Sequence, residues 1–401
     1  MQLTRRRFVG AAGIAAGAVL SGKAAGALPG VRAAEPARTY KACVIGNTGR
    51  GGYGHGLDVT FQKIPGVTVS ALADPDEKGR AGTAGRAGAA RTYADWRDML
   101  RVEKPDLVSI GPRWVENRLE VVTAAAEVGA SVYTEKPLAG SLQEADAMLA
   151  VARKAGTRIV LAHQVRMAPV IPHLKKLLGE GLIGDLLELR TRGKEDHRAG
   201  GEDLMVLGTH CMYLMRYFAG EPVWCSARVT QDGRDIAAAD RRAATEPLGP
   251  VAGDCIHATY AFAGGIQGHF ASQKIRTGSG GRFHMALHGS KGMVWIHIDP
   301  DPKVYFLADP LWSPGKSGAR WEPLPGAPPG SDPAGLEGAE ADNKRAVESL
   351  IRWIETGEES PVSGEEGLKT LEMIFAVYAA HLARGRVAFP LKERRHPLGA
   401  L

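Results

Sequence analysis

Residues 130–137 of this 401-residue chain read Ala-Ser-Val-Tyr-Thr-Glu-Lys-Pro. The β-branched and aromatic residues at the start of this stretch predict a buried strand, and the proline ends it. Residues 141–144 read Ser-Leu-Gln-Glu, a capping box that predicts the start of a helix. The stretch is therefore a strand–turn–helix unit whose turn carries Glu135 and Lys136. In an open parallel sheet, such turns form the crevice in which a ligand binds.

The position of Lys136 in that turn indicates a chemical role. A lysine that faces a crevice and is partly out of water has a lowered pKa, so it can exchange a proton with a substrate hydroxyl. The alternative is an ordinary lysine on a surface loop, which a Lys-Pro pair by itself would favour. The neighbouring parts of the sequence decide between the two.

Strands and helices alternate on both sides of this stretch. Further strands are predicted at residues 40–45, 67–73, 106–110 and 157–162. Helical patterns separate them, so residues 38–160 are predicted to form an α/β domain with a doubly wound parallel sheet, the Rossmann arrangement. The remaining residues 161–390 form a second predicted domain, which has its own strands and two helices near its C-terminal end.

The turn after the first strand is rich in glycine. It reads Gly46-Asn47-Thr48-Gly49-Arg50-Gly51-Gly52. Glycines at a strand-to-helix turn let a pyrophosphate approach the backbone and the N-terminus of the helix. We therefore predict that a dinucleotide binds here, through Gly46, Thr48, Gly49, Arg50 and Gly51. The spacing is G-x-x-G-x-G rather than G-x-G-x-x-G, so a tight turn of another kind is the alternative.

Asp74 directly follows the second strand and lies 23 positions after the last glycine of that pattern. An acidic residue near this place holds the adenosine ribose of a dinucleotide. Because a carboxylate repels a 2′-phosphate, we predict NAD rather than NADP as the cofactor. The alternative for Asp74 is a helix cap or a turn residue.

Pro112, Arg113 and Trp114 follow another predicted strand, at residues 106–110. The carboxyl end of this strand borders the same crevice, so the three residues are predicted to contact the cofactor. The alternative is a packed loop aromatic beside an ordinary surface arginine.

Residues 193–203 of the second domain are dense in charge and in glycine and directly precede a helical pattern. Because sugar hydroxyls need acceptors as well as donors, such a loop suits the binding of a carbohydrate. The candidate substrate residues in it are Glu195, Asp196, His197 and Asp203. The alternative is a solvated loop. A metal site built from these residues with Glu202 and His210 would have no spacing that resembles a known metal motif, so we predict no metal.

Four elements of the chain resemble, in order and spacing, the Gfo/Idh/MocA oxidoreductases, the class that contains glucose–fructose oxidoreductase and the inositol dehydrogenases. The elements are residues 44–51, 71–75, 135–137 and 163–166. The similarity runs from about residue 41 to residue 390. The resemblance implies that Lys136 is catalytic and that Glu135 contacts the nicotinamide ribose. It also places Gln164 at the cofactor and Arg166 at the substrate.

The resemblance further implies that residues 161–390 form an α/β domain with a large, mostly antiparallel open sheet. In the family this sheet covers the crevice and mediates oligomers, so we expect a homodimer or a homotetramer. The family usually carries Asp-x-x-x-His on a helix of this domain, with both side chains on one face.

The histidine of that helical motif is present here as His210, but Val206 stands in the place of the aspartate. Tyr213 stands where a second acid is often found. Without the aspartate, the imidazole lacks the partner that would orient it. We interpret this as a variant site, with His210 as a catalytic residue and Tyr213 at the substrate. The alternative is a histidine in the core.

The N-terminus has the character of an export signal. Residues 4–10 read Thr-Arg-Arg-Arg-Phe-Val-Gly, and an alanine- and glycine-rich run follows. We predict a Tat signal peptide at residues 1–34, export by the Tat machinery, and a periplasmic or extracellular location. A membrane anchor is the alternative, but the apolar run is short for one, so we expect no stable anchor. Five of the basic residues lie in this segment, which carries no acid, so the formal charge of +6 falls to 6 − 5 = +1 without it. Neither this charge nor any basic, aromatic patch indicates a nucleic-acid partner.

These readings predict an exported NAD(H)-dependent oxidoreductase that transfers a hydride between nicotinamide and a carbon of a sugar, polyol or glycoside. We expect the NAD to be bound tightly, because an exported enzyme has no pool from which to replace it. Two alternatives stay open, and Val206 supports both. One is a redox-neutral glycosidase or lyase that acts through a transient keto-sugar. The other is an inactive cofactor-binding protein.

Overall fold

The first sheet contains six parallel strands in the computed structural model, which describes residues 38–275, 280–333 and 335–400. Its strands are β1 (Tyr40–Ile45), β2 (Val67–Ala73), β3 (Arg91–Tyr93), β4 (Leu107–Ile110), β5 (Ser131–Thr134) and β6 (Ile159–Leu161). The helices between them are α1 (Leu57–Thr60), α2 (Glu77–Ala87), α3 (Trp96–Glu103), α4 (Arg118–Glu127) and α5 (Leu142–Ala155). The predicted signal peptide, residues 1–34, lies outside the described residues.

The strand order β3-β2-β1-β4-β5-β6 is that of a doubly wound sheet, as predicted. It reverses between β1 and β4, and the crevice of such a sheet lies at this switch point. The strands β4 and β5 are buried along their whole length, which fits sequences that do not alternate between polar and apolar residues as a half-exposed strand does. The predicted capping box at α5 is present, because the Ser141 side chain accepts a hydrogen bond from the Glu144 N–H group.

The second domain is built around a mixed sheet of ten strands among the described residues. Its strands and those of a small separate pair are β7 (Leu186–Arg192), β8 (Pro222–Gln231), β9 (Arg234–Asp235), β10 (Arg242–Ala243), β11 (Pro250–Val251), β12 (Cys255–Phe262), β13 (Gln267–Gln273), β14 (His284–Gly289), β15 (Met293–His297), β16 (Lys303–Leu307), β17 (Glu322–Pro323) and β18 (Val387–Ala388). Its helices are α6 (Gln164–Met167), α7 (Val170–Gly179), α8 (Gly201–Val206), α9 (Gly208–Ala219), α10 (Pro314–Ser317), α11 (Gly338–Thr356) and α12 (Gly364–Leu382).

The large sheet has the order β17-β16-β15-β14-β7-β13-β12-β8-β18, with β9 paired to β8. Only β7 and β13 run parallel among its described pairs, so the expectation of a mostly antiparallel sheet is confirmed. The strand β10 pairs with β11 outside this sheet. No described helix combines the length and the apolar character that a membrane span needs.

The helical pattern that follows the charged loop forms two helices, α8 and α9, with a break at Leu207. At the break, the His210 N–H group donates to the Leu207 carbonyl at 3.1 Å rather than to the carbonyl of Val206. The Val206 carbonyl is therefore left free by the helix backbone. It instead accepts from the Thr209 hydroxyl at 2.9 Å and from the Lys136 Nζ at 2.8 Å.

The helices α11 and α12 pack against the first sheet although they lie near the end of the chain. Val347, Leu350 and Val362 share an apolar core with Val160 and Ala162 beside β6. The Leu161 N–H group also donates to the Val362 carbonyl at 2.9 Å. These contacts tie the C-terminal helices to the predicted nucleotide-binding domain.

Candidate active site

The turn after β5 carries two buried charged side chains, Glu135 and Lys136. A third buried charge, Arg118 at the start of α4, holds this turn in place. The Arg118 guanidinium donates to the carbonyls of Glu135, Pro137, Pro112 and Trp114. It thereby connects the turn after β5 to the turn after β4. The sequence reading missed Arg118, because an arginine in the first turn of a helix gives no sign that it will be buried.

Lys136 has the environment that a proton-exchanging lysine needs. Its Nζ donates to the uncharged Val206 carbonyl. Burial lowers the pKa of Lys136 to about 8, although the neighbouring carboxylate of Glu135 acts in the opposite direction. A lowered pKa was expected from the position of Lys136 at the crevice, and burial is its main cause.

Glu135 is fully buried, but it is ionised and paired. Its Oε1 lies 2.7 Å from the Nδ1 of His55 and accepts from the His55 N–H group at the same distance. Burial alone would raise the pKa of Glu135, but its contacts with His55, including two hydrogen bonds, and the charge of Lys136 more than offset this effect and lower it. The sequence reading did not single out His55, which lies in the glycine-rich turn four positions after Gly51.

A cavity of about 220 Å³ lies in front of Lys136. Four predicted site residues line it, namely Arg113, Lys136, Gln164 and His210. Side chains that the sequence reading did not select also line it, namely His55, Lys194, Arg198, Phe283 and Asp299. The Gln164 amide nitrogen is buried and has no hydrogen-bond partner among the described residues, so it can donate to a bound molecule. The Arg113 Nε also makes no hydrogen bond there, but it lies 3.7 Å from a carboxylate oxygen of Glu246.

His210 has no carboxylate partner in this cavity. Its ring lies 5.7 Å from the ring of His163 and 6.3 Å from that of Phe283. Burial, and then the charge of Lys136, lowers the pKa of His210 well below its ordinary value. Val206, four residues earlier, contributes only its backbone carbonyl to the site. His210 is therefore a neutral imidazole that can donate or accept a hydrogen bond.

A second space, of about 280 Å³, borders the glycine-rich turn. Four of the residues predicted to contact the cofactor line it, namely Gly46, Arg50, Pro112 and Trp114, and their contact with NAD stays a prediction. Pro75, Asp95 and Trp96, which were not predicted, line it as well.

The glycine-rich turn itself fits a dinucleotide. Gly49 and Gly51 have positive φ angles, which favour glycine, and their N–H groups have no acceptor among the described residues. A Cβ atom on Gly51 would lie 2.9 Å from the Arg113 backbone nitrogen, so only glycine keeps this turn close to the turn after β4. Free backbone N–H groups beside an open groove are the donors that a pyrophosphate needs.

Asp74 does not stand free at the end of β2. It is buried, and its carboxylate accepts from the Thr48 N–H group, from the Thr48 hydroxyl at 2.7 Å and from the Asp76 N–H group at 2.9 Å. These bonds hold the glycine-rich turn against β2. The contact of Asp74 with an adenosine ribose stays a prediction.

The six predicted substrate residues do not line the cavity in this structure, although all of them are described. Asp203 accepts from the Ser272 hydroxyl and from two backbone N–H groups of its own loop. Glu195 pairs with Arg192 and with Arg282, each at 2.5 Å. Both carboxylates therefore stabilise the loop, and their direct role at a substrate stays a prediction without geometric support.

The other four make local contacts as well. Asp196 pairs with Arg198, and the His197 side chain is exposed. The Tyr213 hydroxyl donates to the Pro361 carbonyl, and the Arg166 guanidinium lies 3.9 Å from the ring centre of Tyr217. The expected loop does reach the cavity, but through its cations Lys194 and Arg198. The sequence does not show which charged residues of this loop face the cavity and which form ion pairs with other residues.

Two family models match the two parts of the chain. The model described as "Oxidoreductase family, NAD-binding Rossmann fold" matches residues 40–163. The model described as "Oxidoreductase family, C-terminal alpha/beta domain" matches residues 175–389. The chain belongs to the Gfo/Idh/MocA oxidoreductase family. It is thus an NAD-dependent oxidoreductase of the α/β class, which the sequence motifs predicted.

Several relatives in this family are sugar dehydrogenases. The chain is 27% identical to the levoglucosan dehydrogenase of Pseudarthrobacter phenanthrenivorans, over 63% of this chain and 72% of the relative. It is 29% identical to the D-apiose dehydrogenase of Paraburkholderia graminis, over 45% of this chain but only 50% of the relative.

Solved structures share the fold of this Gfo/Idh/MocA member. Levoglucosan dehydrogenase in complex with NADH and levoglucosan has a TM-score of 0.72 and 19% identity, over 88% of this chain and 100% of that one. The aldose–aldose oxidoreductase of Caulobacter crescentus, complexed with glycerol, has a TM-score of 0.67 and 20% identity, again over 88% and 100%. Within the described ranges, no three His, Cys, Asp or Glu side chains are grouped as a metal ion would require.

Proposed function

We propose that this oxidoreductase transfers a hydride between NAD and a hydroxyl-bearing carbon of a sugar, polyol or glycoside. The observation that carries this proposal is the placement of Lys136. Its Nζ lies in a small cavity, is held by a neutral carbonyl and has a pKa near the working range of a general base. The relatives support the substrate class, because levoglucosan and D-apiose are both carbohydrates.

The roles of the side chains follow from their positions. NAD, when bound, supplies the acceptor of the hydride. Lys136, as a neutral amine, takes the proton of the substrate hydroxyl, and the Val206 carbonyl keeps the Nζ in position. His210, which remains neutral, holds the same hydroxyl by a hydrogen bond. The unpartnered amide donor of Gln164 is available to the carboxamide of the cofactor or to further oxygens of the substrate.

A redox-neutral glycosidase or lyase is the second candidate function. It is favoured by the absence of an aspartate at Val206, because this change alters the partner of the catalytic histidine. Such an enzyme would oxidise a ring carbon, cleave a bond and return the hydride. An inactive cofactor-binding protein is the third candidate.

One experiment distinguishes the three candidates. The purified protein is incubated with NAD and a panel of sugars, polyols and glycosides, and the products are separated by mass. Keto products formed together with NADH support the proposed function. Cleaved glycosides without net NADH indicate the redox-neutral enzyme. Retained NAD binding with no product from any compound indicates the inactive protein.

Export and assembly are part of the proposal. The twin-arginine pattern of residues 4–10 supports export by the Tat machinery to the periplasm or the extracellular space. The broad sheet of the second domain supports a homodimer or a homotetramer. Fractionation of cells with and without Tat function tests the first point, and light scattering of the mature protein tests the second.

A further inference from the structure

The cavity contains two imidazoles, and the one with a carboxylate partner is His55. The His55 Nδ1 lies 2.7 Å from the Oε1 of Glu135. Because the Glu135 carboxylate is ionised, it can only accept, so the His55 proton is assigned to Nδ1 and its Nε2 carries the lone pair. A carboxylate at one ring nitrogen orients an imidazole and stabilises its protonated form. This is the arrangement that His210 lacks.

His55 is fixed in this position by its backbone as well. Its N–H group donates to the same Oε1, and its carbonyl accepts from the Asn343 side chain at 2.9 Å. Asn343 is in turn held by the Tyr133 hydroxyl at 2.6 Å. At the preceding Gly54, with φ of 64°, an added Cβ atom would lie 2.3 Å from the Glu135 Oε1. The glycine therefore permits the close approach of the chain to Glu135.

His55 also connects the cavity to solvent. Its side chain is 43% exposed, whereas those of Glu135 and Lys136 are buried. His55 and Lys136 line the same cavity of about 220 Å³, which is large enough for a substrate group and for a water molecule between them. The pKa values of Glu135 and His210 both lie below their ordinary values, so neither group is a good acceptor for the proton that Lys136 receives.

We propose that His55 is a further catalytic residue, which accepts the substrate proton from Lys136 at its Nε2 and releases it to solvent. This inference rests on the proposed dehydrogenase function. During oxidation, the substrate C–H bond breaks with its electron pair, which passes to NAD as hydride. The O–H proton passes to the Lys136 amine, then to the His55 Nε2 directly or through one water molecule, and then to bulk water. The carbonyl product, NADH and one released proton account for all atoms and electrons.

Other charged groups face His55 within the cavity and set the field in which it works. The cations are Arg113 after β4, Lys136 after β5, and Lys194 and Arg198 of the loop before α8. The carboxylates are Glu135, in direct contact, and Asp299 after β15. Two of these cations have carboxylate partners outside the cavity lining: Glu246 lies 3.7 Å from Arg113 and 3.9 Å from Arg198, and Asp196 lies 2.6 Å from Arg198.

The test uses the mature protein with a substrate that the wild type oxidises. His55→Ala should lower kcat by about 10²-fold, the usual scale for a lost acid–base group. Added imidazole should restore part of this activity in proportion to its concentration. His55→Gln, which keeps the volume but not the proton transfer, should lose the same activity without rescue. His257→Gln, on the outer side of the large sheet, is the matched control and should retain wild-type turnover.

Two further measurements distinguish a relay from a structural role. The Kd for NAD, measured by fluorescence, should change by less than about twofold in both His55 variants, because the relay acts after binding. In ¹⁵N spectra of the wild type, the His55 Nδ1 should stay protonated while Nε2 gains and loses its proton with pH.

Wild-type turnover in His55→Ala would overturn the inference. A loss of activity that imidazole does not restore would also overturn it, and so would a loss that is explained by weaker binding of NAD. A proton fixed on Nε2 at every pH would overturn it without any turnover assay. If the wild type oxidises no sugar, polyol or glycoside, the proposed function fails together with the inference. If the wild type and the His55 variants oxidise equally well, only the inference fails.

Discussion

Lys136 is the residue on which the proposed chemistry depends most directly. We expect Lys136→Ala to lower kcat by at least about 10²-fold, because the hydroxyl proton then has no acceptor at the reacting carbon. The Kd for NAD should remain close to that of the wild type. Steady-state turnover and a fluorescence titration measure the two quantities. Lys176→Ala, on the exposed side of α7, is the control. Near-normal turnover of Lys136→Ala would remove Lys136 from the mechanism.

The pKa of Lys136 gives the oxidation reaction a definite pH dependence. Burial lowers this pKa to about 8, so the side chain is a charged ammonium below that pH and a neutral amine above it. Oxidation needs the neutral amine, so kcat/KM for the alcohol should rise as the pH increases through about 8. Reduction of the ketone needs the ammonium and should show the opposite trend. Lys136→Arg, which stays charged, should lack activity across this range. A pH profile that is flat from about 6 to 10 would contradict the assignment.

The position of an individual residue could be predicted where a sequence pattern fixes its place at a strand end, although its role stays a prediction. Lys136, Arg113 and Gln164 reach the cavity because the carboxyl ends of β4, β5 and β6 meet at one edge of the sheet. Residues of a charged loop were not predictable in this way. Which member of the loop faces the cavity depends on pairings such as Glu195 with Arg282, 87 positions apart, and no local pattern encodes these pairings.

At the scale of elements, one buried arginine holds two catalytic turns together. Arg118→Met would leave four carbonyls in the turns after β4 and β5 without their donor. Each orphaned buried group costs about 1–3 kcal/mol, so we expect the free energy of unfolding to fall by at least about 3 kcal/mol. Urea unfolding measures this loss. Arg101→Met, on the exposed face of α3, should change the free energy by less than about 0.5 kcal/mol. Equal stability of both variants would show that the four bonds contribute nothing.

The Asp74 carboxylate fixes the turn between β1 and α1, and it is also predicted to contact the adenosine ribose. A substitution of Asp74 can therefore act on the cofactor through the turn or through the lost contact. Asp74→Ala should weaken the binding of NAD and reduce the difference in Kd between NAD and NADP. Thr48→Val removes the 2.7 Å hydroxyl bond to Asp74 but keeps the carboxylate. If Asp74 contacts the ribose, Thr48→Val should keep the preference for NAD. A wild type that prefers NADP would contradict this interpretation of Asp74.

The break between α8 and α9 is an element that the sequence could not reveal. Residues 204–218 have a continuous helical pattern in the sequence, but at the break the His210 N–H group bonds to the Leu207 carbonyl rather than to that of Val206. It frees the carbonyl of Val206 for the Lys136 Nζ. Position 206, where the family usually has an aspartate, thus still supplies a hydrogen-bond acceptor. This acceptor is the backbone carbonyl, which does not depend on the identity of the side chain.

At the scale of the whole molecule, the proposed export would link the location of the protein to its cofactor supply. The Tat route carries folded proteins, so a protein exported as proposed could be loaded with NAD beforehand and would have no pool from which to replace it afterwards. We expect NAD to stay bound through purification and desalting of the mature protein. Denaturation of the desalted protein, followed by an enzymatic assay of the supernatant, measures the nicotinamide nucleotide. An empty protein that needs millimolar NAD for activity would indicate an ordinary dissociable dehydrogenase.

The packing of α11 and α12 against β6 limits where the chain can be divided into fragments that fold. A fragment that ended at residue 163 would lack Val347, Leu350 and Val362, and the apolar residues beside β6 would then face water. The Leu161 N–H group would lose its acceptor, and β6 would become an open edge that invites pairing with other chains. We therefore expect that the nucleotide-binding domain does not fold stably when it is separated from the C-terminal helices. A chimera that exchanges it between relatives has to carry residues 338–382 along with residues 38–163.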